Sequence, residues 1–186
     1  MAKLTYYTAA TLDGFLADPD NSLDWLMRQD QDQSGPLNYD AFVADIGAIV
    51  MGSTTYEWVR RHFPDEWFYT MPAWVMTTRE LTPPPVAQAD VRFRSGDVRA
   101  VHEEMVAAAG GKDLWVVGGG ELAGAFADAG LLDEVIVYLA PVTLGAGAAI
   151  LPRRLDLELL ETARNKDFLT ARYRVLGPLT EDRAAQ

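Results

Sequence analysis

"LWVVGGGELAGAFADAGLLDEVIVYLAP" (residues 114–141) sets an apolar run against three glycines, then a helical pattern, then a second apolar run. Three consecutive glycines are more than a tight turn requires. They leave bare N–H groups at a helix N-terminus, where the helix dipole favours an anion. The stretch therefore reads as a pyrophosphate site, with a plain strand-to-helix turn needing only positive φ as the alternative. Residues 118–123 also satisfy G-x-G-x-x-A, the outline of a Rossmann fingerprint. Three features count against that reading. The unit lies about two thirds along the chain rather than in a first βα turn. The following strand ends in Ala140-Pro141, where an acidic ribose ligand belongs. The third glycine position is Ala123.

The rest of the chain restricts the ligand. The 186 residues suffice for one domain with a sizeable core, and 49% apolar with 23% charged is an ordinary globular balance. A net charge of -11 repels phosphate backbones, so nucleic acid is not an expected partner. A phosphate site must then be local, made of backbone N–H groups and a few arginines. With no cysteine, disulfides, zinc thiolates and thiol nucleophiles are excluded, and His62 and His102 share no metal-ligand spacing. No window approaches the roughly 20 apolar residues of a membrane span, so a cytoplasmic protein is expected.

Strands and helices alternate. "KLTYYTAA" reads as the first strand and "TLDGFLADPDNSLDWL" as a long loop of the kind that covers sites. "LNYDAFVADIG" has helical spacing closed by Gly47, "AIVMG" is a buried strand, and "STTYEWVRRHF" is a helix with a capping-box pattern at Thr54-x-x-Glu57. "PAWVMTT" and "VRFRS" read as strands, and "DVRAVHEEMVAAAGG" as an amphipathic helix. "LDLELLETARNKDFLTARYRVLG" reads as a terminal antiparallel hairpin, and residues 181–186 as a frayed tail beyond a single domain over 1–180.

Two more strand ends carry small, donor-rich residues: Gly52-Ser53-Thr54-Thr55 and Thr77-Thr78-Arg79. Helix capping and turn formation are the local alternatives for each. In an open α/β sheet, ligands bind outside the carboxyl ends of the strands, and an extended dinucleotide would cross all three. Arg79 is the arginine directly at such an end and the candidate contact for a 2′-phosphate.

In this order, "YYTAATLDGFLA", "AIVMGSTTYEW", "WVMTTRE" and "WVVGGGELAGAF" resemble the dihydrofolate reductase superfamily over residues 3 to about 152. "GGELAGAFADAGLLDEVIVYLAPVTLGAG" is more similar to its riboflavin-biosynthesis reductase domain, with the chain best resembling small stand-alone members. The resemblance implies a three-layer α/β/α fold with a mostly parallel central sheet and a C-terminal antiparallel hairpin. It also implies a cis Gly-Gly bond in the glycine turn. NADPH is the implied cofactor, with NADH the alternative. Ala9, Leu16 and Ala17 match positions around the nicotinamide, and Gly52, Ser53, Thr54 and Thr55 match the phosphate and ribose segment. Thr77, Thr78 and Arg79 match the adenosine end. Gly118, Gly119, Gly120, Glu121, Leu122 and Ala123 match the pyrophosphate turn. Val117 and Gly120 stand where the riboflavin-type pattern has Glu and Pro, and no basic cluster for a substrate phosphate is evident.

The implied chemistry is hydride transfer to a C=N or conjugated C=C bond of a small planar heterocycle (pterin, pyrimidine or flavin-like). The position of the pterin-gripping carboxylate falls on Pro36, leaving Asp40, one turn later, and Asp24 as candidate acids. Trp25 is a candidate stacking or lid residue and Tyr138 a candidate for the substrate cleft; surface acids and core aromatics are the alternatives. A non-catalytic dinucleotide-binding or sensory module is the rival reading. The resemblance implies a homodimer, for which the five tryptophans and "FLTARYRV" supply apolar material.

Overall fold

The computed structural model describes residues 2–180, so the expected frayed tail lies outside the described residues. The chain runs β1 (Leu4–Thr11), β2 (Phe15–Ala17), α1 (Asp24–Met27), α2 (Tyr39–Ala44), β3 (Ile46–Gly52) and α3 (Ser53–His62). It continues through β4 (Ala73–Met76), β5 (Val91–Arg94), α4 (Val98–Ala108), β6 (Asp113–Gly118), α5 (Gly120–Asp128) and β7 (Glu134–Ala140). β8 (Ala148–Ala149), β9 (Leu155–Asn165) and β10 (Phe168–Pro178) complete it.

Eight strands form one sheet in the order β5-β4-β3-β6-β1-β7-β10-β9. The first six are parallel, and β10 and β9 are the expected antiparallel hairpin. Strict alternation along the strands builds a core on each face. Leu4, Tyr6, Ala48, Val50, Trp74, Leu114 and Val116 face α4 and α5, meeting Met105 and Phe126. Tyr7, Ile49, Met51, Val75 and Trp115 point the other way, against Trp25, Phe42 and Tyr56 of α1, α2 and α3. Three α/β/α layers result. Two of the buried indoles have their polar tips met: Trp74 Nε1 donates to Glu104 at 2.8 Å, and Trp115 Nε1 donates to the Tyr7 carbonyl at 3.1 Å.

Two local expectations change. Gly47 does not close a helix; it lies inside β3, where a Cβ would run into the Ala109 backbone. The Thr54-x-x-Glu57 pattern does not form a capping box, because α3 starts at Ser53 with Gly52 as its N-cap. The early loop is also less open than the sequence suggests. It contains β2, which pairs antiparallel with β8, and the single turn α1.

Chain order positions the site. After β1, the chain builds β3, β4 and β5 outward, then returns to insert β6 between β3 and β1. Gly118 at the end of β6 is thereby in register with Met51 at the end of β3. Three strand ends converge on one crevice, as at the switch point of open parallel sheets.

Candidate functional site

A cavity of about 850 Å³ opens at these strand ends, a size typical of small-molecule sites. β1 contributes Thr8 and Ala9; β3 and α3 contribute residues 52–55 and Trp58; β6 and α5 contribute residues 117–122. The β2–β8 ribbon supplies Leu16, Ala17, Ala148 and Ala149, and α1 with its lead-in supplies Asn21, Leu23 and Leu26.

The treatment of helix N-termini separates this crevice from the rest of the fold. Away from it, α2 is capped by Asn38, which accepts from the Ala41 N–H at 2.9 Å, and α4 by Asp97, which accepts from Arg99 at 2.9 Å. At the crevice, α3 and α5 begin at Gly52 and Gly119, with no side-chain cap on either. Their first-turn N–H groups are left for water or a ligand, with the positive end of each dipole at the cavity. The hydroxyls of Ser53, Thr54 and Thr55 line the same wall and take no partner among the described residues. The donor set fits the phosphates of a dinucleotide. The Gly118–Gly119 peptide is cis, and Gly118 sits at φ 155°, a region open to glycine. A Cβ on Gly119 would meet nothing within 4 Å, whereas one on Gly120 would run into the Ala149 and Ile150 carbonyls. The second contact accounts for glycine at 120, where the resembling pattern carries proline.

The ribbon over the cavity is tied down by Asp13. Its carboxylate accepts from the Thr11 hydroxyl at 2.6 Å, from the Gly145 N–H at 2.7 Å and from the Leu144 N–H at 3.0 Å. Those donors, Thr11 foremost, hold its pKa below the ordinary aspartate value. At the lip, Arg153 donates to Asp128 at 2.7 Å and to Glu121 at 3.0 Å, lying across Gly124. Glu121 at the first turn of α5 therefore faces a cation as well as the dipole.

The structure brings together Ala9, Leu16, Ala17, Gly52, Ser53, Thr54, Thr55, Gly118, Gly119, Gly120, Glu121 and Leu122 in one lining. Ala123 packs in the core beside it. Thr77, Thr78 and Arg79 follow β4 outside that lining, and Arg79 is paired with Glu57 of α3. Asp24 and Asp40 are exposed and do not line the cavity. Trp25 is buried at 5% exposure with its Nε1 unpartnered, and it turns into the core. Its neighbours Leu23 and Leu26 line the cavity instead; their i, i+3 spacing was the available signal. Tyr138 is buried and donates to the Pro36 carbonyl at 2.8 Å, within a cluster with Tyr7 and Phe168. Trp58 was missed by the sequence reading although it lies one turn after Thr54 on the same helix face.

Comparison with known proteins gives a consistent result. The RibD C-terminal domain family matches residues 2–167. The uncharacterized protein YwjB of Bacillus subtilis is 28% identical over 166 residues, 89% of this chain and 92% of YwjB. A crystal structure from Shewanella sp. PV-4, named for riboflavin biosynthesis, superposes with a TM-score of 0.79 at 25% identity, covering 94% of this chain and 99% of that one. The Thermotoga maritima diaminohydroxyphosphoribosylaminopyrimidine deaminase/5-amino-6-(5-phosphoribosylamino)uracil reductase shares the fold, with a TM-score of 0.61 at 13% identity. The match covers 94% of this chain and 56% of that protein, so the chain spans about half its length. Among the described residues, no helix is long and apolar enough to cross a membrane.

Proposed function

The chain belongs to the RibD C-terminal domain family, with its dihydrofolate reductase-like fold, and on that premise we propose that it is an NADPH-dependent reductase of a small pyrimidine-like ring. The observation that carries the reading is the pair of uncapped helix N-termini meeting at one crevice, when α2 and α4 elsewhere are capped. Gly52 with Ser53, Thr54 and Thr55, and the glycines 118–120, hold the phosphates. Ala9, Leu16 and Ala17 leave a flat apolar slot for the nicotinamide. Thr77, Thr78 and Arg79 take the adenosine end, with Arg79 offered to a 2′-phosphate.

When bound, the cofactor supplies the hydride, which adds to the carbon of a C=N or conjugated C=C bond. The protein stacks the two rings, and the β2–β8 ribbon excludes water above them. Among the described residues, Glu121 is the only acid lining the cavity, and it is engaged with Arg153. The balancing proton therefore comes from water admitted at the mouth rather than from Asp24 or Asp40. That shortage of acids also favours the second reading, a dinucleotide-binding module without turnover. A homodimer completes the proposal; exposed Leu157 and Leu159 on the outer strand β9 support it.

NADPH oxidation, followed by absorbance with an aminouracil, dihydrofolate and dihydrobiopterin, tests the reading. Consumption is expected with the aminouracil. Tight NADPH binding with no turnover of any ring would leave the binding-module reading in its place.

A further inference from the structure

Building on the reductase reading, we infer that the ring-binding end of the cavity selects a planar heterocycle that carries no phosphate.

The ring end is assigned to Asn21, Leu23 and Leu26, which line the cavity together with Thr8 and Ala9 and belong to neither glycine turn. Among the described residues, no lysine, arginine or histidine lines the cavity, and the single charged group there is the carboxylate of Glu121. A phosphate moved from water to such a wall loses hydration without gaining a counter-charge. The two helix N-termini do not make up the deficit, because in the reductase reading they hold the cofactor's own phosphates.

Two arginines lie close in sequence to lining residues, and neither is left for a substrate phosphate. Arg153 follows the lining residue Pro152 and spends its donors on Asp128, Glu121 and the Pro152 carbonyl. Arg79, paired with Glu57 outside the lining, stands at the adenosine end and in the reductase reading is offered to the cofactor's own 2′-phosphate.

What the wall does offer suits an uncharged ring. Leu23 and Leu26 give an apolar face for one side of the plane. Asn21 is exposed, and its carboxamide makes no hydrogen bond among the described residues. It presents one acceptor and two donors, which match the alternating N–H and C=O of a lactam edge. The Thermotoga maritima relative is named for a phosphoribosyl substrate. This chain keeps that fold with a ring end suited to the free base or nucleoside.

The test uses the whole protein saturated with NADP+, so that no turnover intervenes. Calorimetric titration compares 5-amino-6-(ribosylamino)uracil with its 5′-phosphate. The wild type is expected to bind the dephosphorylated compound at least tenfold more tightly. Leu23→Arg and, separately, Leu26→Arg introduce the missing cation and are expected to shift the ratio toward the phosphate ester by tenfold or more. Equal or tighter binding of the ester by the wild type overturns the inference. So does an unchanged ratio in both folded variants, and so does binding of neither compound. If the ratio holds while neither compound consumes NADPH in a parallel assay, the reductase reading fails and the inference about the ligand stands.

Discussion

Arg79 donates its two terminal nitrogens to the two carboxylate oxygens of Glu57, at 3.0 and 2.7 Å, joining the end of β4 to α3. Both side chains are well exposed, at 55% and 38%, and pairs of this kind contribute about 0–1 kcal/mol. An incoming 2′-phosphate can therefore compete for the guanidinium. Arg79→Ala should raise the KM for NADPH about tenfold, near 1.4 kcal/mol, and leave NADH unchanged. Glu57→Gln should lower the NADPH KM by about twofold to threefold, since it removes the competing charge. Steady-state kinetics with both cofactors decides the matter; equal losses for the two would detach Arg79 from the 2′-phosphate.

Gly119 and Gly120 are adjacent yet should respond in opposite ways. Gly120→Ala drives a methyl group into the Ala149 and Ile150 carbonyls, and overpacking of this kind costs about 1–3 kcal/mol. Gly119→Ala meets open space and should stay within about 0.5 kcal/mol of the wild type while weakening NADPH binding. Chemical denaturation together with equilibrium dialysis separates stability from affinity. Normal affinity in Gly119→Ala would place the pyrophosphate elsewhere.

The Asp13 latch has a defined pH signature. A carboxylate whose folded pKa is depressed contributes above its unfolded value, and the contribution is lost as the pH falls through the folded value. Asp13 is lowered from 3.8 by Thr11 and by the Gly145 and Leu144 N–H groups. The latch should therefore be complete at neutral pH and fail only in acid below 3.8. Amide hydrogen exchange at Leu144 and Gly145 should be slow in the wild type and fast in Asp13→Ala at neutral pH. The two proteins should converge only in strong acid; convergence near pH 6 would contradict the assignment.

Asp24→Asn and Asp40→Asn should each leave kcat within about twofold, because an exposed carboxylate outside the cavity has no hydrogen-bond reach to the ring. A loss of a hundredfold or more in either variant, with KM unchanged, would reinstate that residue as the proton donor.

Leu157 and Leu159 lie opposite Val175 and Tyr173 across the hairpin and are 37% and 55% exposed. If β9 forms the dimer face, Leu159→Glu should yield a monomer by light scattering with cofactor affinity retained. A persisting dimer would move the interface elsewhere.

Much of this molecule was legible in its sequence because its signals are local. Alternating apolar residues give the strands, and glycines after a strand give the two turns. Pairing partners were harder to read. Thr54 and Glu57 carry a capping pattern, but helix α3 starts one residue earlier, and Glu57 finds Arg79 at a separation of 22 residues instead. Trp25 looks like a lid in a polar loop, yet burial of its large apolar surface turns it inward and leaves Leu23 and Leu26 at the wall. The long-range Asp13 latch to Leu144 and Gly145 leaves no local pattern beyond an Asp-Gly turn.

Trp58 has a use beyond shaping the wall. Among the described residues it is the one tryptophan that lines the cavity, and it stacks on His62 with ring centroids 4.1 Å apart. Trp25, Trp74 and Trp115 lie buried in the core. Indole emission overlaps the absorption band of a reduced nicotinamide, so a cofactor seated beside Trp58 would draw off its light. The molecule carries its own optical gauge of occupancy, needing neither a dye nor a label.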